Sequence, residues 1–140
     1  MAGASVKTSK ELMKKLSAIS GKGADEAAKR AVYVGAGYMA ERIKESLRSV
    51  VSANATGDLE NSLGIAPFQL DKQGNWGTKI GFSGYDRKGV ANPLKARILE
   101  SGSSKQRKRP FLAPAVKKYR KIAEEKMSNE AEIIIESYLK

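Results

Sequence analysis

One stretch limits the possible folds more than any other. Between Ala24 and Val51, the residues Ala28, Ala31, Val32, Gly35, Met39, Ile43, Leu47 and Val50 recur at three- and four-residue spacing as one continuous apolar stripe. The pattern predicts a helix over residues 24–51, and about 27 residues at 1.5 Å rise would span about 40 Å. Asp25 and Glu26 stand at its start, where carboxylates favour the helix dipole. Small residues fill the first half of the stripe and large ones the second, so a sheet or partner helix can approach closely at the Ala/Gly end. Gly35 and Gly37 each cost about 1 kcal/mol of helix propensity against Ala, and close packing is the expected reason for both. Val34-Gly35-Ala36-Gly37 is not a phosphate loop, because no strand precedes it and no Gly-Lys-Ser/Thr follows.

The other elements are arranged around that helix. Thr8 with Glu11 has the spacing of a capping box. Leu12, Leu16 and Ile19 then predict a short amphipathic helix over 8–20 that ends at Gly21-Lys22-Gly23, with Lys10, Lys14 and Lys15 on a solvated edge. Ser52 to Gly57 is a polar turn, and Asp58 to Ser62 is a short helical or extended lead-in. A β-hairpin is expected over 63–82, with strands Leu63–Leu70 and Trp76–Phe82 around a five-residue loop. Pro67 makes the first strand an edge or a bulge, and Trp76, Thr78, Ile80 and Phe82 share one face of the second. Residues 83–92 are expected as a mobile loop. Leu94, Ile98 and Leu99 after Pro93 suit either a short buried turn or a strand.

A basic loop over 101–110 leads into a terminal helix over 113–139, which lies across the sheet or docks its last turns on another subunit. Pro114 suits a first helical turn, where its missing N–H has no partner to lose. Phe111 and Leu112 can staple the chain onto the body just before it. The whole is expected to be one α+β domain, 1–140, with long helices packed on one face of a small antiparallel sheet.

Charge is concentrated in one place. Ser101 to Ala123 holds Lys105, Arg107, Lys108, Arg109, Lys117, Lys118, Arg120 and Lys121 and no carboxylate. The chain as a whole is +11, and without those eight bases it is only +3. The four helix bases sit at the positive end of their own helix, at a cost of roughly 0.3–1 kcal/mol for each charge in the terminal turn. Glu124, Glu125, Glu130, Glu132 and Glu136 fill the opposite half. The bases are either a solvated face or a surface that meets something anionic, such as phosphate or a neighbour's acidic patch.

With neither cysteine nor histidine, the chain lacks thiolate metal sites, thiol nucleophiles and the commonest catalytic base. No carboxylates or lysines are spaced for catalysis, so neither an enzyme nor a cofactor is expected. The lack of cysteine agrees with synthesis in a reducing cytoplasm, no apolar run approaches the roughly 20 residues of a membrane span, and the first ten residues lack the apolar segment of a secretory signal.

Three segments resemble known signatures. Ala55-Thr56-Gly57-Asp58-Leu59-Glu60-Asn61-Ser62-Leu63 resembles the Asp-Thr-Gly-x-Leu-x-x-Ser-Ile segment that follows a long helix in the minor tail component family of long-tailed bacteriophages. Ala96 to Lys105 is similar to that family's Ala-Arg-x-x-Glu-x-Gly-Thr-Ser-Lys, with Gly102 and Ser104 in place. Arg109-Pro110-Phe111-Leu112-Ala113-Pro114-Ala115 is similar to its Arg-Pro-Phe-Leu-x-Pro-Ala. The match covers roughly Ala24 to Ile122. Ala55 replaces a usual acid, and Gln106-Arg107-Lys108 replaces apolar and proline residues, which makes this loop unusually basic.

The resemblance implies a virion protein of the phage neck, made in the bacterial cytoplasm, that completes the tail or joins it to the head. It implies a homo-oligomer, six-membered in the virion although isolated subunits can be monomers. The implied partners are tail-tube and head-completion proteins, with genome DNA passing through the ring. Thr56, Gly57, Leu59, Ser62, Gly102, Ser104, Pro110, Phe111, Leu112 and Pro114 carry over as its structural motif residues. The rival reading is a basic nucleic-acid-binding protein, which the sequence pI of about 9.9 favours. Against it, no readout motif is present and Tyr119 is the only aromatic within the basic helix.

Overall fold

A computed structural model describes residues 3–17, 19, 21–52 and 55–139 of the chain. Its elements run β1 (Gly3–Lys7), α1 (Lys10–Leu16), α2 (Lys22–Val50), α3 (Asp58–Asn61), β2 (Leu63–Ile65), β3 (Gln69–Leu70), β4 (Trp76–Phe82), α4 (Asn92–Ser101) and α5 (Leu112–Leu139). The protein is α+β, with helices packed on one face of a small antiparallel sheet. β4 is the central strand, with β1 along one edge and β2 and then β3 along the other.

α2 and α5 lie side by side in opposite directions along their full length. Ser46 bonds the Phe111 carbonyl at one end, and Tyr138 bonds Glu26 at the other. On α2 the buried stripe is Ala27, Ala28, Ala31, Val32, Ala36, Met39, Ala40, Ile43 and Leu47; on α5 it is Ala115, Ala123, Met127, Ala131 and Ile135. Both stripes step by four residues, which puts the ridges of one helix into the grooves of the other. At Gly35 the two leave no room for a side chain, since a Cβ there would stand 2.5 Å from Cγ and Sδ of Met127 and 3.4 Å from Val6. Close packing therefore accounts for Gly35. It does not account for Gly37, where an added Cβ would have no atom of the described residues within 4 Å.

Several sequence expectations need correction. β1 was not anticipated, because Gly-Ala-Ser-Val-Lys offers only Val6 as a large apolar residue. It forms by pairing with β4 in the register Gly3↔Gly81 to Lys7↔Gly77. The helix start lies one residue later than the Thr8–Glu11 box, because Ser9 accepts from the Leu12 N–H at 3.1 Å. Thr8 is buried, with its hydroxyl unpartnered among the described residues. Ala18 and Ser20 of the expected 8–20 helix, and Ala53 and Asn54 of the polar turn, lie outside the described residues. Lys15 is not merely solvated, since it pairs with Glu132 and bonds Ser128 on α5.

Pro67 splits the first hairpin strand into β2 and β3, both on the sheet edge. Asp71 closes the hairpin loop by accepting from the Gln73 and Asn75 N–H groups. Residues 92–101 are a helix rather than the expected turn or strand, with Pro93 in its first turn and Gly102 ending it.

Candidate functional site

The three segments that carry the resemblance meet at one end of the molecule, around the C-terminus of α2. In the first, Gly57 adopts a positive φ of 87° that turns the chain into α3, and Thr56 Oγ1 accepts from the Asp58 N–H. Leu59 is buried. Ser62 donates to the Leu59 carbonyl at 2.7 Å, and its own carbonyl accepts from the Ser83 N–H.

Asp58 reaches across to residues 83–92, the loop expected to be mobile. Arg87 donates to it through Nε at 2.9 Å, through a terminal nitrogen at 2.8 Å and through its backbone N–H at 3.1 Å. Those hydrogen bonds hold the Asp58 carboxyl far below the ordinary carboxylate range. Lys95 lowers Asp86 in the same way at 2.8 Å, helped by the Val90 and Lys88 N–H groups, so the loop is closed by its own hydrogen bonds.

The second and third segments are clasped together. α5 starts at Leu112, and its first free N–H groups point at Glu100 near the end of α4. Glu100 accepts from Phe111 at 3.3 Å, Leu112 at 3.0 Å and Ala113 at 3.2 Å. Pro114, next in line, has no N–H to satisfy. The carboxylate also supplies the negative charge that this helix start lacks in its own first turn.

Phe111 is fully buried and meets the Phe82 ring edge-on, while Leu112 is buried beside it. Gly102 has φ 78°, and a Cβ there would come within 3.0 Å of the Lys108 N–H nitrogen. Only glycine fits at the foot of this loop. Ser103 pins the loop by accepting from the Lys105 and Gln106 N–H groups, whereas Ser104 and Pro110 are exposed.

All eight predicted bases are exposed, and among the described residues none of them pairs with a carboxylate. Arg109 donates to the Val50 carbonyl at 3.1 Å, which moors the loop to α2. Further along, Lys118 lies 5.3 Å from the Tyr119 ring.

The sequence reading missed that α2 brings Tyr38 and Arg42 to the same place. Tyr38 and Tyr119 meet edge-on at 6.1 Å, Arg42 stands 5.2 Å from the first ring and 5.9 Å from the second, and Lys126 stands 5.2 Å from Tyr38. The signal lay in the four-residue spacing of Tyr38 and Arg42, which keeps both on one flank of the α2 stripe. A reading stretch by stretch does not join them to α5.

Between α2, α3 and α4 lies a pocket of about 520 Å³. Leu47, Val51, Leu59, Ile98 and Leu99 form its apolar floor, and charged side chains form its walls. Its carboxylates are matched, with Glu60 on Arg48, Asp58 on Arg87 and Asp86 on Lys95. Among the described residues no group of three or more carboxylates is gathered to hold a metal ion, and no helix is long and apolar enough to cross a membrane. An apolar-floored cavity thus lies beside a cationic loop that has no carboxylate partner among the described residues. Comparison with known proteins gives no matching family model, no similar curated protein and no similar solved structure.

Proposed function

We infer that the protein is a structural component of the bacteriophage neck, a tail-completion or head–tail joining subunit. It assembles as a ring at the head-proximal end of the tail and sits in the virion. The Glu100 clasp carries this reading. It joins two of the three resembling segments, which are separate in the chain, so that the motif residues of those two form one corner. That corner presents Lys105, Arg107, Lys108 and Arg109 outward with no carboxylate partner among the described residues, which suits a surface meant for an acidic neighbour. A ring needs head-to-tail interfaces, and a chain that is basic at one end of α5 and acidic at the other supplies both halves. The expected partners are further copies in a six-membered ring, the tail tube and the head-completion proteins, with the genome passing through the hole. Deleting the gene from its phage is expected to leave filled heads and free tails unjoined, with joining restored by the gene in trans. Normal particles from the deletion would refute the assignment.

A second reading draws on a different observation. Tyr38 and Tyr119 beside Arg42, Lys118 and Lys126 form a cationic and aromatic seam of the kind that tracks a nucleic-acid backbone. Titrating duplex across salt decides it: phosphate contacts give a log–log slope of about −0.9 for each charge neutralised, and a protein-docking surface gives weak binding with no such slope.

A further inference from the structure

The two ends of α2 carry complementary surfaces that one chain cannot bring together. At its C-terminal end is the apolar-floored pocket, whose carboxylates are all taken by basic partners. The charge left over there is positive. Lys88 stands exposed on the rim, and Lys105 and Arg107 flank Gln106, which lines the wall. Near the start of α2, α5 comes to its end. The Tyr138 hydroxyl donates to Glu26 at 2.7 Å, and a Cβ on Gly23 would stand only 3.2 Å from its ring, so the last turns are anchored there.

Around that anchor the exposed surface of α5 is unusual. Ile133 and Leu139 are each 63% exposed, and Glu136, three residues from either, is exposed between them. Residues three apart are neighbours on a helix surface, so these form a ridge that is apolar, acidic and apolar in turn. The helix's own terminal carbonyls add negative charge. Gly23 and Leu47 are 24 residues apart on α2, about 36 Å at 1.5 Å per residue. The ridge therefore cannot reach the pocket of its own chain.

We propose that the Ile133–Glu136–Leu139 ridge of one copy seats in the α2–α4 pocket of the next. Ile133 and Leu139 cover the half-buried Val51, Ile98 and Leu99 of the floor, and Glu136 faces Lys88, Lys105 and Arg107. The contact joins different patches on the two copies, so it propagates until the rotation closes a ring or runs on as a filament. The inference rests on the ring reading and specifies which surfaces make the ring.

The chain has no cysteine, so introduced thiols report only on their own positions. Gln106→Cys combined with Leu139→Cys, treated with a short bis-maleimide at high protein concentration, is expected to give a ladder of dimers, trimers and larger species. Each single variant is expected to stay at monomer mass. Glu136→Lys in the double-cysteine background is expected to reduce the ladder several-fold, and Lys88→Glu with Arg107→Glu to restore it. All these substitutions are on exposed or half-buried surface, and unchanged thermal melts would show that the fold is kept. Dimers from a single variant, or no ladder, would overturn the contact. If native mass spectrometry of the unaltered chain still shows closed oligomers, the ring reading survives without this interface; if the chain also stays monomeric in the presence of tails, both fall.

Discussion

The Glu100 carboxylate, near the end of α4, lies 3.0 Å from the backbone nitrogen of Leu112, the first residue of α5. Eleven residues separate the two, among them Lys105, Arg107, Lys108 and Arg109. The same carboxylate reaches the Phe111 and Ala113 N–H groups, so one side chain both closes the basic loop and caps the helix that follows.

Removing that clasp is the first test of the architecture. Glu100→Ala is expected to destabilise the fold by about 1–2 kcal/mol, the usual cost of losing a helix N-cap. Glu100→Gln should recover part of the loss by restoring an acceptor without the charge. Urea unfolding of the three proteins measures it, and a midpoint unchanged in Glu100→Ala would show that the clasp holds nothing.

Two glycines two residues apart in α2 are expected to respond with opposite sign. Gly35→Leu forces Met127 and its surroundings to move and should cost about 1–3 kcal/mol as overpacking. Gly37→Ala meets open space among the described residues and should gain about 0.5–1 kcal/mol through helix propensity and a less flexible unfolded chain. Thermal melts distinguish the two cases: no loss at Gly35 would contradict the packing described there, and a loss at Gly37 would contradict the open space beside it.

Acid should loosen the corner around the pocket. Asp58 and Asp86 are both held below the ordinary carboxylate value by hydrogen bonds from Arg87 and Lys95 respectively. A carboxyl depressed in the fold stabilises it fully above its unfolded pKa of about 4, and that contribution fades as pH falls through the lower folded value. Stability is therefore expected to drop steadily below about pH 4, and Arg87→Ala should flatten the profile. Denaturation midpoints between pH 6 and pH 2 check this, and parallel profiles for the two proteins would contradict it.

Much of the framework was readable from the chain. α2, β4 and α5 declare themselves because their periodicities are long and their neighbours punctuate them clearly. β1 was hidden, since its five residues have no period of their own and acquire structure only from β4. The helix at 92–101 was ambiguous because Leu94, Ile98 and Leu99 are too few to separate a helix from a strand. The eight bases were found as a stretch. What they border was not, because Tyr38, Arg42 and the pocket walls come from elements scattered over the chain, and only tertiary packing gathers them.

The basic loop carries the account's functional weight. Arg107→Glu, Lys108→Glu and Arg109→Glu together are expected to leave the monomer folded, since these side chains are exposed and only Arg109 holds a bond, to the Val50 carbonyl. Tail joining and oligomer formation should fail. Sedimentation velocity and phage titre in complementation report the two effects, and no change in either would make the loop a solvated face.

The most direct measurement of the central claim is electron microscopy of purified phage tails mixed with the purified protein. The account predicts a ring of protein density at one end of each tail, absent without the protein and absent with the triple charge reversal. Bare tail ends with the wild-type chain, together with infectious particles that contain none of it, would contradict the claim.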